Sequence, residues 1–124
     1  MLQTRNIFEA ISVQEVNNLT EALANGCKLT VIDIRATISA AKASRFMLVR
    51  PGSDYAFNLA VIHELLMQKL YDTAYANRWI KDLGRLEEFV RGCTPEWAEA
   101  ETGISADEIR RFVRELAAAS PAVI

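Results

Sequence analysis

Histidine and cysteine are scarce in this sequence: one histidine, His63, and two cysteines, Cys27 and Cys93, in 124 residues. A closed zinc or iron–sulfur site needs about four such ligands. Neither cysteine belongs to a Cys-x-x-Cys pair, so no such site is expected within the chain. The thiols are read as structural, with a disulfide between them left open. Long apolar runs are missing as well. None approaches the roughly 18 to 20 residues that span a bilayer. Met1 to Ala10 contains Arg5 and Glu9 and lacks the continuous apolar core of a secretory signal, which leaves the compartment of a longer parent protein undetermined. There is no cationic excess: 14 Lys and Arg face 16 Asp and Glu, for a net charge of −2. The basic residues sit beside acids, as in Lys81-Asp82 and Arg85-Leu86-Glu87-Glu88. Nucleic-acid binding needs a clustered basic surface, so that class is excluded. Paired carboxylates, a serine–histidine arrangement and a G-x-G-x-x-G loop are all absent. No catalytic residue is assigned.

What is present is a composition suited to a packed core, 51% hydrophobic and 24% charged, and the length of one small domain covering residues 1–124. Ser12-Val13-Gln14-Glu15 is a capping box that opens a helix. Val16, Leu19 and Leu23 give that helix its apolar face, and Gly26 suits the left-handed position that ends it. Lys28 to Ile34 is short, β-branched and nearly all apolar, the pattern of a strand buried on both faces. After a short helix or turn around Ser39 to Ala43, Phe46 to Val49 reads as a second strand, stopped by Arg50-Pro51-Gly52.

A long helix is predicted from about Asp54 to Leu70, with Leu59, Ile62, Leu66 and Leu70, flanked by Val61 and Leu65, as a broad apolar stripe. Tyr71 to Lys81 and Arg85 to Val90 are short amphipathic segments. Thr94-Pro95-Glu96 starts another helix, and Ser105-Ala106-Asp107-Glu108 caps the next, which buries Ile109, Phe112, Val113 and Leu116. Pro121 to Ile124 resembles the opening of a further strand, which makes the chain look like a piece of something longer. The expectation is an α/β fold, a three-layer α/β/α fragment with a short parallel sheet and a largely helical C-terminal half.

Two loops, each after a predicted strand, carry the polar chemistry. Open parallel sheets bind ligands at the carboxyl ends of their strands. In the first loop, Asp33-Ile34-Arg35-Ala36-Thr37, the carboxylate can accept from a ribose or purine edge, Arg35 can pair with a phosphate and Thr37 can donate to one. A local Asp33–Arg35 ion pair that only stabilises the turn is the competing reading. In the second loop, Gly52 allows close backbone approach, and Ser53 and Asp54 stand at a helix start, either as ligand contacts or simply as a cap. His63, Trp79 and Trp97 are read as structural and packing residues.

At these loops the sequence resembles the dimethyl sulfoxide reductase family of molybdopterin oxidoreductases, which includes formate dehydrogenases, nitrate reductases and thiosulfate or polysulfide reductases. The family pattern is a strand ending in Asp-Pro-Arg, a Thr two residues later, then Pro-Gly-Thr-Asp opening a helix. Here it reads Val31-Ile32-Asp33-Ile34-Arg35-Ala36-Thr37 and Arg50-Pro51-Gly52-Ser53-Asp54. Leu70-Tyr71-Asp72, Thr94-Pro95-Glu96-Trp97-Ala98 and Thr102-Gly103-Ile104 are also similar, so the likeness runs from about Leu19 to Ile124. Ile34 replaces the usual proline and Ser53 the threonine.

The resemblance implies a segment of a large catalytic subunit, leaning to the thiosulfate or polysulfide reductases and inactive alone. Asp33, Ile34, Arg35, Ala36 and Thr37 would contact the guanosine end of a molybdopterin guanine dinucleotide carrying Mo or W, and Gly52, Ser53 and Asp54 would help hold the same cofactor. The family's iron–sulfur cysteines and its molybdenum-ligating residue would lie elsewhere in the parent. The implied partners are the remaining domains of the parent and an electron-transfer subunit, with no direct membrane contact. The apolar surface meant for those domains could pair two copies of the isolated piece. The competing classes are a stand-alone nucleotide-sensing domain and a helical interaction module.

Overall fold

Val31 and Ile32 project to opposite faces of one strand, and both are completely buried. In the computed structural model, which describes residues 2–3, 6–10, 13–119 and 122, that strand is the middle of a parallel sheet. Its order is β1 (Leu2–Gln3), β2 (Thr30–Asp33) and β3 (Arg45–Leu48). The register sets Val31 beside Leu2 and Phe46, Ile32 beside Gln3 and Met47, and Asp33 beside Leu48. Parallel neighbours require a crossover. The first is made by α1 (Ile7–Ala10) and α2 (Val13–Ala24), the second by the one-turn α3 (Ile38–Ala41).

Leu19 and Leu23 of α2 pack with Leu29, Val31, Ala40 and Phe46, so the predicted apolar face of α2 does cover this sheet. Helix α2 ends in a Schellman motif. Gly26 takes φ +88°, its N–H reaches the Leu23 carbonyl, and the Cys27 N–H reaches that of Ala22. Ser12, the first half of the predicted capping box, lies outside the described residues.

Strand β2 is shorter than its apolar run predicts, while β3 keeps the predicted length one residue earlier. Leu29 belongs to the predicted strand, but its carbonyl accepts from Ser44 and Arg45 and its N–H donates to the Ser44 hydroxyl. Those bonds close the turn into β3 instead of extending the ladder.

The described residues divide into two compact units, one running to Val49 and the other from Arg50 to Ala122. The second is all helix: α4 (Asp54–Met67), α5 (Thr73–Trp79), α6 (Leu83–Val90), α7 (Pro95–Thr102) and α8 (Ala106–Ala118). The chain is therefore mixed α/β, with a short parallel sheet and a largely helical C-terminal half. Helix α4 packs against α6, α7 and α8. It buries Ala56, Phe57, Leu59, Ala60, Val61, Glu64 and Leu66, a broad face because three helices pack on it. The Phe57 ring meets that of Phe112 at 5.7 Å. The side chains of Thr94 and Ser105 accept the Trp97 and Glu108 N–H groups as predicted. The carboxylate of Glu99 adds a cap by accepting the Ala106 N–H at 2.9 Å.

Helix α4 ends at Met67, short of Leu70, because Lys69 adopts φ +53°. The N–H groups of Lys69 and Leu70 turn back to the Leu66 and Leu65 carbonyls, a Schellman ending with lysine where glycine is favoured. A side chain in that conformation costs about 1 kcal/mol. Lys69→Gly is therefore expected to raise unfolding stability in urea by about 0.5 kcal/mol, after the greater freedom of glycine in the unfolded chain is subtracted. A destabilised variant would show that the lysine makes up for its conformation by contacts.

The tryptophans part company. Trp97 packs against Leu59, Leu66 and Val90, as expected of a packing residue. Trp79 does not: it is 64% exposed, with the Tyr75 ring tilted against it at 6.5 Å and the Arg78 guanidinium over its face. Both lie one turn or less away on the same short helix. Among the described residues no helix is long and apolar enough to cross a membrane. The Pro121 to Ile124 segment, read as a strand opening, lies outside the described residues apart from Ala122.

Candidate functional site

Asp33 is the last residue of β2, held at the carboxyl edge of the sheet by the two buried residues before it. Its carbonyl accepts the Val49 N–H at 3.1 Å, and its Oδ1 accepts the Arg35 N–H at 3.3 Å. This is an Asx turn, which swings the chain out of the sheet. The carboxylate is 7% exposed, and its Oδ2 takes no partner among the described residues. The turn thus rests on the Arg35 backbone. The Asp33–Arg35 ion pair weighed from the sequence is not among the ion pairs of the described residues.

Ile34, Arg35 and Ala36 are exposed around the turn. Thr37 is buried, and its Oγ1 accepts the Ala40 N–H at 3.2 Å to cap α3. That bond uses the oxygen and leaves the hydroxyl proton free to donate.

The sequence reading missed Asn6 and Ser39. Asn6 follows β1, and Ser39 stands in the first turn of α3, fully buried. The Ser39 hydroxyl donates to Asn6 Oδ1 at 2.7 Å and accepts the Phe8 N–H at 3.5 Å. The other arm of the amide, Nδ2, is buried without a partner. An unmet buried donor costs about 1–3 kcal/mol, so this N–H₂ group is a natural place for a ligand acceptor. No local pattern could reveal it, because the two residues are 33 positions apart.

In the second unit, Arg50-Pro51-Gly52-Ser53 forms a turn with proline and then a left-handed glycine at its centre. The Ser53 N–H donates to the Arg50 carbonyl at 3.2 Å, and Gly52 has φ +81°. These are the marks of a type II turn. A Cβ on Gly52 would meet nothing within 4 Å, so the backbone conformation calls for glycine, and the space above it is open.

Ser53 is the N-cap residue of α4 by position, yet its side chain makes no capping bond. Its hydroxyl donates instead to the Arg50 carbonyl at 2.7 Å. The first intrahelical bond runs from Phe57 N–H to the Ser53 carbonyl. The N–H groups of Asp54, Tyr55 and Ala56 therefore lack an intrahelical acceptor, with the Asp54 carboxylate in the first turn.

Chemically, the first loop offers an acceptor for N–H or O–H groups. The second offers donors suited to a phosphate. Neither offers a metal centre: the described residues contain no group of three or more His, Cys, Asp or Glu that could hold an ion. Both cysteines are free, so the disulfide left open by the sequence is not formed. His63 points Nδ1 at the Val90 carbonyl, 2.8 Å away. A carbonyl only accepts, so this nitrogen carries the proton, and the ring is a structural tie between α4 and α6.

No family model matches the chain. Among individual proteins it is 37% identical, over 96% of its own length, to the thiosulfate reductase molybdopterin-containing subunit PhsA of Salmonella typhimurium. It is 34% identical over 87% of its length to formate dehydrogenase H of Escherichia coli. The structure of acetylene hydratase from Pelobacter acetylenicus superposes with a TM-score of 0.86 at 35% identity, covering 90% of this chain and 15% of that one. The chain spans only 16% of the thiosulfate reductase subunit and 15% of the formate dehydrogenase.

Proposed function

Because this chain belongs to the molybdopterin oxidoreductase family, as a homologue of one segment of its large subunits, we propose that it holds the nucleotide end of a molybdopterin guanine dinucleotide. In this reading the parent is an oxidoreductase, and the segment alone is inactive. When bound, the pterin-held Mo or W supplies the two-electron redox centre of the parent. An iron–sulfur cluster, if the parent carries one, lies outside these residues, none of which forms a cysteine cluster.

The observation that carries the reading is the Asp33 carboxylate. It is set at the carboxyl end of a buried parallel strand, with one oxygen fixed by the Arg35 N–H and the other without a partner among the described residues. Such a group accepts from the N–H edge of guanine or from ribose hydroxyls. Arg35, exposed beside it, supplies positive charge for a phosphate, and Ile34 and Ala36 line the turn. Thr37 keeps a hydroxyl proton to donate, and Asn6 has the unmet Nδ2. In the second unit the open face of Gly52 and the Tyr55 and Ala56 N–H groups at the start of α4 fit phosphate oxygens, with Ser53 bracing the turn and Asp54 standing in the first turn of the helix. The residues present fit the nucleotide part of the group. Calorimetric titration with GDP tests this. Measurable affinity in the wild-type chain that is lost in Asp33→Ala and Asp54→Ala supports it, and no heat in the wild type defeats it.

The proposal extends to the exposed side chains of Tyr75 and Trp79. Their aromatic area is of the kind that domain interfaces use, and in this reading the remaining domains of the parent cover it, while an electron-transfer subunit docks elsewhere. In the isolated chain a second copy takes their place. Light scattering at high concentration is expected to give a dimer that Trp79→Ser returns to monomer. A wild type that stays monomeric would refute the pairing.

A further inference from the structure

Gly52 and Pro51 form a turn with little to hold it. Pro51 is exposed and has no N–H, and Gly52 brings no side chain. The anchoring falls to Arg50. Its carbonyl accepts both the N–H and the hydroxyl of Ser53. Its own N–H donates to the Thr102 carbonyl at 3.0 Å. Its guanidinium Nη1 donates to the Ala100 carbonyl at 2.5 Å and lies 3.5 Å from that of Glu101.

These acceptors are last-turn carbonyls of α7, which have no partners within the helix and form its negative end. The guanidinium passes over Gly103, where a Cβ would come 3.5 Å from Nε. That is ordinary contact, so the left-handed conformation of Gly103, at φ +79°, is what calls for glycine, and it ends the helix beside the arginine. Helix α7 is a firm reference. Ala98 and Thr102 are fully buried, the Thr102 hydroxyl donates to the Ala98 carbonyl at 2.6 Å, and α7 packs on α4.

We infer that Arg50 is a positioning residue: it references the Gly52–Asp54 loop to the carboxyl end of α7 and so aims the first N–H groups of α4. The inference rests on the reading that this loop contacts the cofactor's nucleotide. Arg50 touches no ligand in this account; it acts through Ser53. Lysine keeps the charge at the helix end but replaces the fork with a single ammonium, so it restores only part of the geometry.

The test uses the 124-residue chain with Arg50→Met and Arg50→Lys, GDP as probe, and amide hydrogen exchange at Ser53. Arg50→Met is expected to weaken GDP binding about tenfold, a change of about 1.4 kcal/mol, and to speed Ser53 exchange by a similar factor. Arg50→Lys should recover about half of each loss on a logarithmic scale. This partial rescue separates positioning from a general loss of stability. Ser53 exchange unchanged in Arg50→Met overturns the inference. So does faster exchange with wild-type GDP affinity. If no chain binds GDP while Asp33→Ala and wild type behave alike, the cofactor reading fails, and the Ser53 exchange rate alone decides whether Arg50 holds the turn. If the methionine variant does not fold, the lysine variant carries the same comparison.

Discussion

Asp33→Asn is expected to weaken GDP binding about 100-fold while leaving stability within about 0.5 kcal/mol of wild type. The asymmetry follows from what each oxygen does. Oδ1 accepts the Arg35 N–H, and an asparagine side chain oriented with its carbonyl there still can, so the turn survives. Oδ2, which has no partner among the described residues, is replaced by an N–H₂ group, which cannot accept from guanine or ribose. A hydrogen bond to a charged acceptor is worth about 1.5–3 kcal/mol when its partner would otherwise go unmatched, and 2.7 kcal/mol corresponds to about 100-fold in affinity. Asp33→Ala loses both functions and should show the same loss of binding together with a measurable drop in stability. Calorimetry and urea unfolding on the same samples separate the two. An asparagine variant that binds GDP as well as wild type would sink the assignment of Asp33 to the nucleoside.

Arg110→Met should cost the chain about 2 kcal/mol of unfolding free energy. Three carboxylates meet this arginine: Glu96, to which Nη2 is hydrogen-bonded, Asp107 at 3.8 Å, and Glu64 at 3.9 Å. Glu96 and Asp107 are exposed and contribute little to the total. Glu64 differs, because its side chain is only 8% exposed and Arg110 is its ion-pair partner. Removing the guanidinium while methionine keeps the apolar stem strands a buried carboxylate. That normally costs about 3–5 kcal/mol, reduced here because the pair is long and Arg110 is partly solvated. Adding Glu64→Gln should restore much of the loss, since the orphaned charge is then gone. Stability unchanged by Arg110→Met would refute the account.

The same variant has a pH signature. The Arg110 hydrogen bond is the main cause holding Glu96 below the ordinary glutamate value of 4.5. A carboxylate whose folded value is depressed stabilises the fold above its unfolded value and loses that contribution as pH falls through the folded one. The contribution from Glu96 is therefore complete above pH 4.5 and disappears in the range below it. In Arg110→Met its titration, followed by NMR, should move up toward 4.5.

Much of the helical half was legible because its signals are local. Thr94 and Ser105 cap the helices they open by accepting an N–H three residues on, and Gly103 ends α7, as Gly26 ends α2, through its own φ. The buried strand was legible from Val31 to Asp33, where β-branched apolar residues run together. Its ends were not, because Leu29 is diverted by Ser44, fifteen residues on. The two polar loops were visible as residue types at strand ends, but their internal wiring was not. That Ser53 donates backwards to Arg50, and that Arg50 reaches α7 fifty residues away, depends on tertiary proximity. Asn6 with Ser39, and Glu99 capping α8, are hidden for the same reason. Lys69 was missed because lysine in a left-handed terminal position carries no sequence flag, and Trp79 because an aromatic at helical spacing reads as core whether or not anything covers it.

The contrast between the two tryptophans gives the chain a built-in optical gauge. Trp79 is solvated, so its emission lies toward the red whether the chain is folded or not. Trp97, half-buried against the Leu59, Leu66 and Val90 cluster, emits further toward the blue while it packs there. In the monomer, a spectral change on denaturation is therefore a report from the α4–α6–α7 packing, and the indole of Trp79 supplies a nearly constant background against which it is read.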